Sequence, residues 1–251
     1  MTQEIILKTR NLTKCFVTRL PFGSKKTLAV SCLDLEVKRG EIFGFLGPNG
    51  AGKTTTLNMI VGITEPSDGK IELFGEPFKI GNIEALSRIG YVPETTSLPG
   101  YFTVVTLLDF YAQLFEIPLT LRSRRIDSLL EMFGLVKEKN TLIENLSMGQ
   151  IRLVDIMQAL INDPELILLD EPTVYLDPLI MERFRKILMH LRESGKTIFM
   201  SSHSLPEIER LSDRIGVIDD GKLKKVGPKS EFLSGGSIEE EFLKIVKKEY
   251  V

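Results

Sequence analysis

The sequence predicts an α/β fold with a mostly parallel core sheet, an antiparallel β lobe near the N-terminus and an inserted helical lobe. Two apolar runs, at 41–46 and 165–170, are typical of strands that are buried on both faces of a parallel sheet. Short strand-like segments lie close together before residue 75, which favours antiparallel pairing. From about residue 103 to 162, apolar residues recur at helical spacing.

The remaining elements follow from local patterns. Pro21 and Gly23 predict an exposed loop at 18–26, Gly134 is expected to end a helix, and 220–221 is expected to form a hairpin turn. Segments rich in apolar and β-branched residues predict further short strands, at 5–9, 14–18, 31–37, 70–74, 88–92, 197–201 and 215–218.

Length and composition predict one domain. The chain has 251 residues, 43% of them apolar, and a formal charge of -2 that gives no reason to expect nucleic acid as a partner. Cys15 and Cys32 lack metal-ligand or redox spacing. The N-terminal residues do not resemble a signal peptide, and the apolar runs are too short for a membrane helix, so we expect a soluble chain. The parts of this domain are expected at 1–94 (β lobe and phosphate-loop part of the core), 95–162 (helical lobe), 163–226 (second part of the core) and 227–251 (helical tail).

A glycine-rich run between a predicted strand and a predicted helix has the spacing of a phosphate-binding P-loop. Its glycines let backbone N–H groups turn inward at a helix N-terminus, which favours anions. Lys53 is expected to reach the β- and γ-phosphates, and the Thr54 hydroxyl to hold Mg²⁺. The alternative, a glycine-rich loop without a ligand, does not account for the full motif. The candidate nucleotide-binding residues are Gly47, Pro48, Asn49, Gly50, Ala51, Gly52, Lys53, Thr54 and Thr55.

Two carboxylates lie at the end of the apolar run at 165–170. Asp170, at the end of the predicted strand, occupies the Walker B position that orients Mg²⁺. Glu171 is expected to accept the proton of an attacking water or to orient that water. The alternative is a polar strand end followed by a turn. With Lys53, these residues predict a site for nucleotide hydrolysis.

The order of these segments resembles that of the ATP-binding subunit of an ATP-binding-cassette (ABC) transporter over nearly the whole chain. The other segments that carry the resemblance are 12–16, 91–94, 146–150, 166–172, 176–177 and 201–203. The resemblance implies an ATPase that dimerises around two Mg-ATP molecules, as a homodimer or a heterodimer. It also implies a separate transmembrane permease subunit, which would hold the chain at the cytoplasmic face of the membrane.

The resemblance also implies roles for single residues. Phe16 would stack on adenine, although by itself it is more typical of a core residue. His203 would reach the γ-phosphate, and Asp177 would be the D-loop acid close to the opposite chain's site. The signature residues that would close the partner's site are Ser147, Gly149 and Gln150.

Two positions depart from the family pattern. Glu94 lies where the family has the Q-loop glutamine; its carboxylate can ligate Mg²⁺ but cannot donate like an amide. Met148 lies where the signature usually has glycine, which puts the strength of the contact with the partner in question.

The C-terminal part of the sequence contains a false match. Residues 233–236 also spell the start of the signature but follow His203, so we expect a flexible turn there. The segment 237–246 resembles the tail of bacterial exporter-type subunits.

A soluble mechanical or regulatory ABC-type ATPase without a transport partner remains the alternative function.

Overall fold

The computed structural model describes residues 4–21, 23–233 and 236–247. The strands are β1 (Ile5–Leu20), β2 (Gly23–Lys38), β3 (Ile42–Leu46), β4 (Asp68–Leu73), β5 (Glu76–Pro77), β6 (Ile89–Val92), β7 (Leu166–Asp170), β8 (Thr197–Ser202), β9 (Arg214–Asp219) and β10 (Lys222–Pro228). The helices are α1 (Lys53–Ile60), α2 (Ile83–Ser87), α3 (Val104–Leu114), α4 (Leu119–Phe133), α5 (Met148–Leu160), α6 (Pro178–Glu193), α7 (Leu205–Leu211), α8 (Lys229–Leu233) and α9 (Ile238–Lys247), with a 3₁₀ turn at Ile143–Asn145.

The strands form two sheets, in agreement with the predicted parallel core sheet and antiparallel β lobe. The core sheet has the order β10-β9-β3-β8-β7-β6, and all its neighbouring strands are parallel except β10, which pairs antiparallel with β9. The second sheet, in the order β2-β1-β4-β5, is antiparallel. The carboxyl ends of β3, β7 and β8 therefore meet at one edge of the core sheet.

Successive side chains of the central strands point to opposite faces of the core sheet, so the hydrophobic core has two parts. Leu166 and Leu168 of β7 pack with the antiparallel sheet and α1, whereas Ile167 and Leu169 pack with the helical lobe and the C-terminal helices. Burial on both faces explains why β7 is a continuous apolar run rather than an alternating one. The core sheet thus fixes the antiparallel sheet on one side and the helical lobe on the other.

The N-terminal hairpin corrects one prediction. Residues 18–26 were expected to form a loop, but Thr18 pairs with Lys25 and Leu20 with Gly23, so both strands continue to the turn. The predicted segments 5–9 and 14–18 are likewise parts of the single strand β1. In the described part of the chain, β4 pairs with β1 only as far as Thr13. The outer part of this hairpin is therefore exposed. Because neither of its faces is buried, its sequence does not show the alternation of apolar and polar residues that predicts a strand.

The helical region follows the prediction more closely. Helices α3, α4 and α5 lie within residues 103–162, and Gly134 ends α4 with φ 64°, the left-handed conformation that glycine adopts without strain. Of the false match at 233–236, positions 234 and 235 lie outside the described residues. In the parts of the chain that the structure describes, no helix is both long and apolar enough to cross a membrane.

Candidate functional site

The loop between β3 and α1 holds the phosphate-binding motif. Gly50 and Gly52 have φ of 83° and 105°, in the left-handed region. A Cβ added at Gly52 would lie 2.5 Å from the carbonyl oxygen of Ala29, so a side chain is excluded there by space as well as by backbone conformation. Helix α1 begins at Lys53, which places the loop at a helix N-terminus where backbone amides favour an anion.

Lys53 is held inside this loop. Its side chain is only 6% exposed, and Nζ donates hydrogen bonds to the carbonyl oxygens of Gly47 at 2.7 Å and Pro48 at 3.1 Å. Nζ also lies 3.2 Å from Oε1 of Glu171, whose side chain is 5% exposed. That oxygen has no hydrogen bond in the described part of the chain. The contact is therefore an ion pair, in which the carboxylate offsets the charge of a buried ammonium.

A cavity of about 380 Å³ brings the predicted groups together. It is lined by residues of the loop, by Glu94 at the Q-loop position and by Glu171, which follows β7. Ala29 of β2, for which the sequence predicted no role, also lines it. The full set is Ala29, Asn49, Gly50, Gly52, Lys53, Thr54, Thr55, Glu94 and Glu171. The cavity is lined by one buried cation, two carboxylates and two threonine hydroxyls. This set suits a polyphosphate with a bound cation.

The ends of β7 and β8 are joined by Ser201, which the sequence analysis placed in a motif without giving it a role. The Ser201 hydroxyl donates to Oδ1 of the buried Asp170 at 2.5 Å and accepts from the backbone N–H of Glu171 at 3.0 Å. Glu171 has φ 45°, which is rare for a residue with a side chain. Ser201 therefore helps to hold the backbone of Glu171 in its strained conformation.

His203 completes the contacts of Glu171. Its Nδ1 lies 2.9 Å from Oε2 of Glu171, and its backbone N–H donates to the same oxygen at 3.3 Å. The imidazole is about half exposed, whereas the carboxylate is buried. Glu171 thus has one oxygen next to Lys53 and the other next to His203, an arrangement in which a single carboxylate can be oriented for proton transfer.

The residues present fit a magnesium ion. Oδ2 of Asp170 is a buried oxygen with no partner in the described structure, and Thr54 lines the cavity with an oxygen of its own. Hard oxygen ligands of this kind suit Mg²⁺. Among the described residues, no group of three or more His, Cys, Asp or Glu side chains is arranged to hold a metal by itself. An ion here would need oxygens from phosphate and water.

Two further predicted residues, Phe16 and Asp177, do not line this cavity. Phe16 lies on β1, 42% exposed, with Nζ of Lys14 5.1 Å from its ring centroid. Asp177 begins α6, where Oδ1 accepts from the backbone N–H groups of Leu179 and Ile180 at 2.9 and 3.0 Å. Its carboxylate therefore serves as a helix cap in this chain.

The signature residues form the first turn of α5. The Ser147 hydroxyl accepts from the N–H of Gln150, and the Gln150 side chain accepts from the N–H of Ser147, which is a capping box. Gly149 is buried, and a Cβ there would lie 2.7 Å from Cδ1 of Ile180. Met148 is exposed. Three predicted signature residues, Ser147, Gly149 and Gln150, are thus together, but not at their own chain's cavity.

Arg152 is a second buried residue at the site, after Ser201, to which the sequence analysis assigned no role. Arg152, on α5, is 2% exposed, and Nη2 donates to the carbonyl oxygens of Asp170 at 2.8 Å and Glu171 at 3.2 Å. Oδ2 of Asp155 lies 3.3 Å from Nη1. Burial lowers the pKa of the Arg152 guanidinium and raises the pKa of the Asp155 carboxyl. Arg152 and Asp155 are the charged residues of an otherwise uncharged helix, and that isolated pair is the signal the sequence offered.

Comparison with known proteins identifies the family. The family model described as ABC transporter matches residues 30–174. The bacitracin transport ATP-binding protein BcrA of Bacillus licheniformis is 42% identical over 219 residues, which cover 87% of this chain and 68% of that protein. The Nod factor export ATP-binding protein I of Cupriavidus pinatubonensis is 41% identical over 196 residues, which cover 78% of this chain and 60% of that protein.

Solved structures agree with the sequence relatives. The structure titled as the ATP-binding subunit of an ABC transporter has a TM-score of 0.82 at 26% identity and covers 96% of this chain and 99% of its own. A dimeric bacterial ABC transporter cassette has a TM-score of 0.80 at 27% identity and covers 89% of this chain and 99% of its own. The same cassette is also known in a post-hydrolysis state bound to ADP and phosphate.

These matches confirm the predicted α/β fold and the resemblance inferred from the order of the motifs. The family match at residues 30–174 spans the P-loop, the signature helix, and Asp170 and Glu171 at the end of β7. The cavity with its cationic and oxygen-bearing lining, the family match and the relatives lead to the same conclusion. The chain belongs to the ABC transporter family, as an ATP-binding subunit that hydrolyses ATP.

Proposed function

We propose that the chain is one half of a two-chain ATP clamp that drives a separate transmembrane permease. The observation that carries this proposal is the cavity in which Lys53, Thr54, Glu94 and Glu171 converge, while the signature residues lie elsewhere on the same chain. A site built for the phosphates alone leaves the far side of the nucleotide uncovered. A second chain would supply that side.

In the proposed site, the phosphates lie against the loop 47–55 and the N-terminus of α1. The ammonium of Lys53 pairs with the β- and γ-phosphates and leaves its contact with Glu171, because phosphate competes for the same charge. Mg²⁺ would be held by Thr54, Asp170 and Glu94, and when bound it neutralises phosphate charge. Phe16, half exposed on β1, is available to stack on the base.

Hydrolysis is assigned to Glu171. Its carboxylate accepts the proton of the attacking water, and His203 orients that carboxylate and reaches the γ-phosphate. The strained backbone at Glu171 supports this role, because such conformations persist where surrounding contacts enforce them. Once Lys53 has turned to the phosphate, the Oε1 oxygen of Glu171 is free to take a proton.

The second chain would contribute Ser147, Gly149, Gln150 and Asp177. Two of these residues, Ser147 and Asp177, are exposed caps at the N-termini of α5 and α6, where backbone amides favour a partner's γ-phosphate. Met148, exposed beside them, changes the surface that faces the partner. The dimeric cassettes among the solved relatives support this arrangement. When hydrolysis removes the γ-phosphate, the contacts that favour the closed dimer are lost.

The permease would bind the helical lobe at the cytoplasmic face of the membrane. An apolar groove of about 270 Å³ between β6, α3 and α5 includes Tyr91, Tyr111, Leu114 and Phe115 and suits an inserted helix. A solved relative, cbiO1 of Clostridium perfringens, is described as part of the ABC transporter complex cbiONQ. A regulatory or mechanical ATPase without such a partner is not favoured, because the matched relatives are named as transport proteins.

The variant Glu171→Gln tests the clamp. It removes the proton acceptor and keeps the groups that bind phosphate, so we expect Mg-ATP to convert the variant into a stable dimer. Gel filtration with and without Mg-ATP measures this. A variant that stays monomeric at saturating Mg-ATP would contradict the proposal.

Two controls separate the clamp from other effects. Glu209→Gln, at an exposed position on α7, makes the same chemical change away from the cavity and should elute like the unmodified chain. The double variant Lys53→Ala with Glu171→Gln should remain monomeric, because the phosphate contact is gone. A dimer in that double variant would show association that does not depend on the contact of Lys53 with phosphate.

A further inference from the structure

Arg152 joins three segments that the proposed mechanism uses separately. It lies on α5, which begins at the signature, and its guanidinium contacts the end of β7 and the segment after β6. Nε donates to the carbonyl oxygen of Pro172 at 3.3 Å, and Nη2 donates to those of Asp170 and Glu171. Nη1 donates to the carbonyl oxygen of Pro93 at 2.5 Å, directly before Glu94.

The side chains around Arg152 fix its orientation. Oδ2 of Asp155 accepts from Nη1 at 3.3 Å and from the hydroxyl of Thr96 at 2.9 Å, while Nη1 also lies 3.3 Å from that hydroxyl. Oδ1 of Asp155 accepts from the side-chain amide of Gln158 at 3.4 Å. All three guanidinium nitrogens are thus engaged. Because the fork is planar and rigid, its donors move as one unit with α5.

The ion pair of Arg152 and Asp155 is by itself weak evidence for a purely stabilising role. A buried ion pair can often be replaced by apolar residues without loss of stability, because removing two charges from water is costly. The contacts of Arg152 go mainly to backbone carbonyls of the residues that bracket the cavity, including Glu171 with its left-handed φ of 45°. A shift of α5 would therefore be passed to the backbone that carries the proton acceptor and to the residue before Glu94.

We propose that Arg152 is a positioning residue that couples the signature end of α5 to Glu171 and Glu94 of the same chain. When the nucleotide bound to a partner chain contacts Ser147 and Gly149, α5 fixes the geometry of this chain's own site. Each site therefore becomes active when the other is occupied. The inference rests on the two-chain clamp proposed above. The inference predicts that ATP hydrolysis is cooperative and that this cooperativity depends on the guanidinium fork of Arg152. Binding of ATP to a single chain should not depend on it.

The test compares Arg152→Lys with Arg125→Lys. Both exchange a guanidinium for an ammonium, but Arg125 lies on α4, where it donates to the carbonyl oxygen of Ile161 away from the cavity. For Arg152→Lys we expect kcat to fall at least tenfold and the Hill coefficient for ATP to fall towards one, with the Kd for ATP changed less than threefold. Arg125→Lys should retain the unmodified kcat and Hill coefficient.

A second variant guards against misfolding. The double variant Arg152→Met with Asp155→Leu replaces the buried pair by apolar side chains; a cooperative thermal transition checks that it is folded, and the folded variant should lose cooperativity in ATP hydrolysis. Unchanged kcat and cooperativity in folded Arg152 variants would overturn the inference, as would an equal loss in Arg125→Lys or a loss of kcat in step with a loss of ATP binding. A non-cooperative unmodified chain, with Glu171→Gln remaining monomeric, would instead overturn the clamp and the inference with it.

Discussion

The carboxylate of Glu94 is an unusual group for a cavity suited to polyphosphate. It lines the same space as Lys53 and Thr54, so in the proposed site its charge would act on both the metal and the nucleotide. A carboxylate attracts Mg²⁺ and repels phosphate, and the two effects have opposite signs. Their balance distinguishes this chain from one with an amide at that position.

Glu94→Gln tests this balance. We expect the Mg²⁺ concentration for half-maximal ATPase to rise several-fold because a hard oxygen ligand is weakened. Metal-free ATP should bind more tightly, because a negative charge is removed from the cavity. Kinetic titration with Mg²⁺ and calorimetry in a chelator measure the two effects. The exposed variant Glu209→Gln is the matched control, and an unchanged Mg²⁺ requirement would exclude Glu94 as a ligand.

Single residues differ in how well the sequence predicted them. Lys53 and Glu171 could be identified because each lies in a motif whose spacing has a chemical reason, and the structure places both at one cavity. Ser201 and Arg152 were missed because their contacts are with groups far away in the sequence. The Arg152 guanidinium donates to carbonyl oxygens at the end of β7, so only the folded chain shows its partners.

At the scale of elements, Glu165 ties two parallel strands together. It lies just before β7; its Oε1 accepts from Nε of Arg88 at 2.6 Å, and its Oε2 accepts from Nη1 of Arg39 at 2.5 Å. Hydrogen bonds from Arg88, and then from Arg39, lower the pKa of the Glu165 carboxyl to about 2. The ion cluster therefore stabilises the junction of β6, β7 and the turn before β3 when Glu165 is charged.

This lowered pKa predicts the pH dependence of one variant. The folded pKa is below the ordinary value of 4.5, so the stabilisation is present above pH 4.5 and is lost as the pH falls towards 2. At pH 7, Glu165→Gln should lower the free energy of unfolding by about 1 kcal/mol, since the group is partly exposed and screened. Urea unfolding at several pH values should show this difference shrinking below pH 4.5. A pH-independent difference would contradict the account.

The elements themselves were predictable where burial leaves a pattern. Strands β3 and β7 are continuous apolar runs because both of their faces are covered. The outer part of the β1–β2 hairpin has no such cover, so its sequence resembles a loop although its backbone forms a ladder of pairs. Nearly all residue types can form the same backbone hydrogen bonds, so a strand held only by backbone pairing cannot be recognised from its side chains.

At the scale of the whole molecule, the order of motifs along the chain predicted both the fold and the family. Parallel strands bring their carboxyl ends to one edge, so the P-loop after β3, Glu171 after β7 and His203 after β8 had to meet. The signature and Asp177 follow a different logic. They lie at the N-termini of α5 and α6 and do not line their own chain's cavity, so their role depends on a partner that a single sequence does not show.

The central claim is that Lys53 and the loop around it bind a triphosphate together with magnesium. Isothermal titration of Mg-ATP into the unmodified chain and into Lys53→Ala measures this most directly, with Lys196→Ala, far along the sequence before β8, as the matched control. We expect saturable heat for the unmodified chain and the control, and an affinity at least tenfold weaker for Lys53→Ala. An absence of heat with the unmodified chain, or equal affinities for all three, would contradict the account.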